Sequence, residues 1–202
     1  MIYLGNNHIG FDPSGLTYPS ISGCHAVMYL TDAGMFGLHN LGGADKESWD
    51  NRADAWKDYV TNHIHSGSPG RAMYGVCYAT GDTSRGYGLA NVQKTNWLGE
   101  LAAFAKKIKF KGVIYGYDLS NQIHAPSVTV SYTRIGAAAV IQVKKYHATE
   151  DTKGANTNPA NHRMIRRDSG SGKYILQNTE SQVVIRTTNN GWKTVYPETL
   201  RS

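Results

Sequence analysis

The chain has little cysteine, proline or acid: among 202 residues there are two Cys, six Pro and fifteen Asp plus Glu. Two cysteines supply neither a disulfide framework nor a CxxC metal site, which suits a protein made in a reducing cytoplasm. Whether Cys24 and Cys77 are bridged to each other is left open by the sequence. No apolar run approaches the roughly 20 residues a membrane-spanning helix needs. The opening "MIYLGNNHIG" lacks a positive start and a long apolar stretch, so no secretory signal peptide is expected. No Walker-type phosphate loop is present, and "GDTSRGYG", starting at Gly81, lacks the lysine and the helix-opening context a nucleotide site needs. The few carboxylates show no paired spacing for glycosidase chemistry.

What is present is glycine, tyrosine and positive charge. Twenty-two Gly, thirteen Tyr and many short β-branched runs favour sheet, while two amphipathic stretches argue against an all-β chain. The expectation is one catalytic α+β domain over 1–202. A net charge of +6 suits acidic proteins, nucleic acid or anionic membranes alike. The densest basic cluster, "KKIKFK" from Lys106 to Lys111, falls on the solvated face of a helix, so nucleic acid is a poor candidate and a protein partner the better one.

Along the chain, residues 5–20 are rich in Gly, Asn, Pro and Ser and read as an irregular lead-in. Ile21 to Leu30, the turn "TDAG" and Met35 to Leu41 read as a β-hairpin. Trp49, Ala53, Trp56, Val60 and Ile64 recur at helical spacing, with acids in the early turns where the helix dipole favours them. "RAMYGVCYATG" is a strand; Trp97, Leu101, Phe104 and Ile108 then line one face of a second helix. From Gly112 the chain is strand-like apart from Thr149 to Gly172, which shows no period and reads as a long loop.

The hairpin carries the chemistry. If Asp32 and Ala33 form a two-residue loop, Leu30 pairs with Met35, Met28 with Gly37 and Ala26 with His39. Cys24 and His39 then share a face as diagonal neighbours, about 7–8 Å apart at the backbone. A thiol beside an imidazole is a candidate nucleophile and base. Gly23 allows a substrate carbonyl close to the backbone, where N–H groups would hold an oxyanion. Cys77, between Val76 and Tyr78, reads as core. His25 beside Cys24 points to the opposite face, which argues against a shared zinc ion. His63 and His65 read as surface groups at a helix end, and His124 as a loop histidine.

"ISGC", followed by a histidine fifteen residues after the cysteine, resembles the signature of the catalytic domain of cytotoxic necrotizing factor and of Burkholderia lethal factor. The chemoreceptor deamidase CheD has a related pattern. The match spans Leu16 to Leu41. These proteins are glutamine deamidases on an α/β/β sandwich, here a mixed or mostly antiparallel sheet core flanked by two helices. The resemblance implies Cys24 as nucleophile, His39 as base and acid, and a toxin- or effector-like hydrolase. Such an enzyme needs no cofactor and acts on a protein such as a translation factor or a Rho-type GTPase; a monomer is the expected state, though the sequence does not reveal it. Delivery from the bacterial cytoplasm would use a route without a signal peptide. Two of these families have a threonine six residues before the cysteine that orients the histidine; that position is Tyr18 here. Thr17 is the neighbouring candidate, and a backbone carbonyl, as in the necrotizing factor, is the alternative. A cysteine protease or transglutaminase would use the same pair, and a basic binding module would need neither.

Overall fold

A computed structural model describes residues 1–41, 46–78, 90–119, 123, 125–146, 151–153, 161–178, 183–185 and 191–201. Within them lie two helices, α1 (Lys46–Asn62) and α2 (Ala90–Lys107), and three sheets. The largest sheet has the order β12 (Tyr174–Asn178), β11 (His162–Arg167), β2 (His8–Asp12), β5 (Met35–Leu41), β4 (Cys24–Thr31), β6 (Gly70–Tyr78), β7 (Val113–Asp118) and β15 (Glu198–Arg201). A five-stranded sheet runs β1 (Ile2–Tyr3), β3 (Gly15–Ile21), β8 (Val128–Ile135), β9 (Ala138–Lys145) and β14 (Lys193–Val195). β10 (Asp151–Lys153) pairs with β13 (Val183–Ile185). β1–β3 and β6–β7 are parallel, the latter with α2 between them in the chain, and the other pairs are antiparallel. The fold is therefore mixed α+β. No described helix is long and apolar enough to cross a membrane.

Each face of the large sheet feeds its own apolar cluster. Ala26, Met28 and Leu30 of β4 and Tyr74 and Val76 of β6 pack with Leu16, Tyr18, Val128, Val130, Tyr132 and Ile141 of the five-stranded sheet. The opposite residues, Val27 of β4 and Phe36 and Leu38 of β5, pack with Trp56 and Val60 of α1 and Leu101 and Phe104 of α2. A strand apolar on both sides is what burial between two layers requires. Trp56 and Phe104 meet edge to face at 5.3 Å, joining the helices. Trp49 and Trp97 lie outside the residues whose side chains are described.

Three sequence expectations are corrected. The lead-in over 5–20 is not irregular, for it holds β2 and most of β3. Its glycines mark close packing within strands: a Cβ on Gly10 would sit 2.9 Å from the Asn161 carbonyl, and one on Gly15 2.8 Å from Met1 Cε. Pro19 and Ser20 fall where the β3–β8 register shifts, between Tyr18 and Ile21. The long loop over 149–172 likewise holds β10 and β11, and β11 lies between β2 and β12. "HRMIRR" hid its strand because charged residues interrupt the alternation and only His162 and Ile165 are fully buried. Lastly, α1 ends at Asn62, so Ile64 is 87% exposed, while His63 turns inward against Phe11 and Phe36. His63 is thus buried, not a surface group.

Candidate active site

The hairpin has the register that its two-residue turn dictates. Thr31 and Gly34 exchange backbone hydrogen bonds around Asp32 and Ala33. Leu30 pairs with Met35, Met28 with Gly37, Ala26 with His39 and Cys24 with Leu41. Cys24 and His39 therefore lie on one face, diagonal to each other, with Cys24 in the cluster shared by the two larger sheets. Cys24 opens β4 at the end of the sheet where β5 and β6 finish, at Leu41 and Tyr78. The sulfur-bearing residue is 1% exposed and His39 is fully buried.

His39 is held by the N-terminal strand region. Its Nδ1–H donates to the Leu4 carbonyl at 2.7 Å, and its own carbonyl accepts from Asn7 N–H at 3.0 Å. With Nδ1 so engaged, the neutral ring carries its lone pair on Nε2, which has no partner among the described residues. Burial draws the imidazole down to about 4; the Leu4 carbonyl opposes that shift and nearby His8 adds to it. His39 is thus a neutral acceptor at physiological pH. The Cys24 thiol donates to the Ser22 carbonyl at 3.6 Å. The Tyr18 ring lies 6.2 Å from that of His39, centroid to centroid, and its hydroxyl donates to the Val27 carbonyl at 2.7 Å.

Thr17 does not orient His39. Its hydroxyl donates to Met1 Sδ at 3.2 Å and lies 3.2 Å from Ser131 Oγ. Its contribution is through the backbone: the Thr17 carbonyl accepts Leu4 N–H at 2.7 Å, fixing the residue whose own carbonyl holds His39. The alternative held in the sequence, a backbone carbonyl, is that of Leu4, which sequence reasoning could not single out because a main-chain acceptor has no residue signature. Gly23 has a φ of 67°, which favours glycine, but its N–H donates to the Tyr78 carbonyl at 2.7 Å and is not an oxyanion donor.

The remaining candidates fall elsewhere. Cys77 pairs in register with His25 and so faces away from Cys24; neither cysteine is in a disulfide. Burial pushes the Cys77 thiol well up, with Asp118 and then Glu100 adding to the shift, so it is no nucleophile. His124 and the "GDTSRGYG" segment lie outside the described residues. A second histidine pair, missed in sequence, is His8 Nδ1 to His162 Nε2 at 2.9 Å. Burial lowers His8 to about 4 and His162 to about 3, the latter also through His8. Among the described residues no group of three or more His, Cys, Asp or Glu is placed to hold a metal ion. No protein-family model matches the chain, and no curated protein matches its sequence.

Proposed function

We propose that the chain is a cysteine-dependent protein glutamine deamidase on an α/β/β sandwich. The observation that carries the reading is a cysteine on the same sheet face as a neutral histidine whose Nδ1–H is fixed by a main-chain carbonyl, leaving Nε2 as acceptor. The layered fold is supported by the two clusters on opposite faces of the large sheet, one shared with the five-stranded sheet and one with the helices.

In the reaction, His39 Nε2 takes the proton that Cys24 now directs to Ser22, and the sulfur attacks the glutamine carboxamide carbon. The C–N bond breaks as His39 returns that proton to the nitrogen, releasing ammonia and leaving a thioester. Water, deprotonated by His39, then cleaves the C–S bond to give glutamate and the thiol. The balance needs no redox partner. A protein substrate, with translation factors or Rho-type GTPases as the classes implied by the resemblance, fits a surface of net charge +6.

The 1% exposure of Cys24 favours a second reading, a basic protein-binding module in which the cysteine is core. One experiment separates the two: a cell lysate is incubated with wild type and with Cys24→Ser, and both proteomes are searched for glutamines gaining about one dalton. Conversions present only with wild type support the deamidase. Chain cleavage or amine cross-linking would assign the same pair to a protease or transglutaminase, and identical proteomes would remove the enzyme reading.

A further inference from the structure

Behind the hairpin, on the face turned away from Cys24 and His39, four polar residues lie in register across four adjacent strands. Asn40 of β5 pairs with His25 of β4, His25 with Cys77 of β6, and Cys77 with Asp118 of β7. Asn40 and His25 are fully buried, Cys77 is 1% exposed, and Asp118 at the end of the row is half-buried. Over it, α2 delivers Glu100, 8% exposed. One carboxylate oxygen, Oε1, accepts a hydrogen bond from Asn40 Nδ2, and the other, Oε2, lies 3.5 Å from His25 Nδ1. Room for the imidazole comes from Gly75, where a Cβ would run into the His25 ring.

The two residues this carboxylate spans are the chain neighbours of the proposed catalytic pair: His25 follows Cys24, and Asn40 follows His39. Consecutive residues of a strand share a peptide plane and point to opposite faces, so fixing one side chain behind the sheet fixes the direction of its neighbour in front. A buried carboxylate is expensive to place and is retained only with partners. Here both partners are on the strands that carry the reacting groups.

We propose that Glu100 is a positioning residue for the Cys24–His39 pair, holding β4 and β5 at the separation that proton transfer requires. The role rests on the deamidase reading. A misplacement near 1 Å costs about a hundredfold in rate, so partial loosening of this brace should cost about tenfold or more.

The test uses the full chain and a probe independent of any substrate, iodoacetamide at neutral pH, with peptide mass spectrometry resolving Cys24 from Cys77. Glu100→Ala is expected to alkylate at Cys24 about tenfold or more slowly than wild type. Glu100→Gln, which keeps an acceptor for Asn40, is expected within about threefold. Phe104→Leu, on the same helix and fully buried, is the stability control: it should lower the melting temperature yet leave the Cys24 rate near wild type. On a target protein found in lysate, Glu100→Ala should lower kcat with KM unchanged. An unchanged Cys24 rate in Glu100→Ala, or an equal loss in Phe104→Leu, overturns the positioning role. If wild-type Cys24 does not react, or reacts equally after His39→Ala, the deamidase reading itself falls and Glu100 has no pair to position.

Discussion

Replacing Gly37 by alanine perturbs the support of His39 without touching His39. Gly37 lies in the middle of β5 with no left-handed φ, so alanine suits the backbone and the effect is steric. The new Cβ would lie 2.5 Å from Leu4 Cδ1, 2.5 Å from Tyr18 Oη and 2.8 Å from Leu16 Cδ1. All three residues are fully buried, which leaves them little room to step aside. Overpacking of this kind costs about 1–3 kcal/mol. Tyr18 yields by stretching its bond to the Val27 carbonyl, and an orphaned buried hydroxyl costs about 1–3 kcal/mol more. At about 2–4 °C per kcal/mol for a chain of this size, a combined cost of about 2–6 kcal/mol should lower the melting temperature by about 4–24 °C. Leu4 moves with the strain, so Cys24 alkylation should slow even in samples kept far below the melting point. Gly67→Ala, where a Cβ meets nothing within 4 Å, is the neutral comparison, expected within about 0.5 kcal/mol. A Gly37→Ala protein with wild-type melting temperature and wild-type Cys24 reactivity would refute the packing argument.

Acid should destabilise the fold through His39. With an ordinary value of 6.5 and about 4 in the fold, the unfolded chain binds the proton first, so stability is flat above pH 6.5 and falls between 6.5 and 4. The full loss from this one group is about 3 kcal/mol; urea midpoints across that range should decline in wild type and less steeply in His39→Gln, and equal slopes would contradict the assignment. Gly23→Ala, forced into a left-handed φ of 67°, should cost about 1–2 kcal/mol by urea titration, with Gly23→Asn milder. Equal stability of the two variants would show that the turn before Cys24 relaxes.

How much of this was legible depended on range. The hairpin register followed from four residues of turn and strict alternation, both local properties of "TDAG" and its flanks. Helix faces were equally readable from Trp56, Val60, Leu101 and Phe104, all of which pack where their spacing placed them. The strands at Gly10, Gly15 and His162 escaped because glycine and charge carry no β-signal; their conformation is set by partners far along the chain. For His39 a backbone carbonyl was one of two readings, but which one was not legible: Leu4 reaches it only because β1 lies parallel to β3, and Thr17, the side chain the sequence offered, bonds to Met1 and Ser131. The polar row behind the hairpin was seen one residue at a time, His25 as a rejected zinc ligand and Cys77 as core. Only the strand order β5-β4-β6-β7 sets the four side by side.

The most direct test of the proposed base is the tautomer of His39, read from long-range nitrogen–proton correlation spectra of the protein carrying nitrogen-15 histidine. The hydrogen bond to Leu4 predicts the Nδ1–H form, neutral until the pH approaches about 4. A His39 that carries its proton on Nε2, or that titrates near 6.5, would contradict the account.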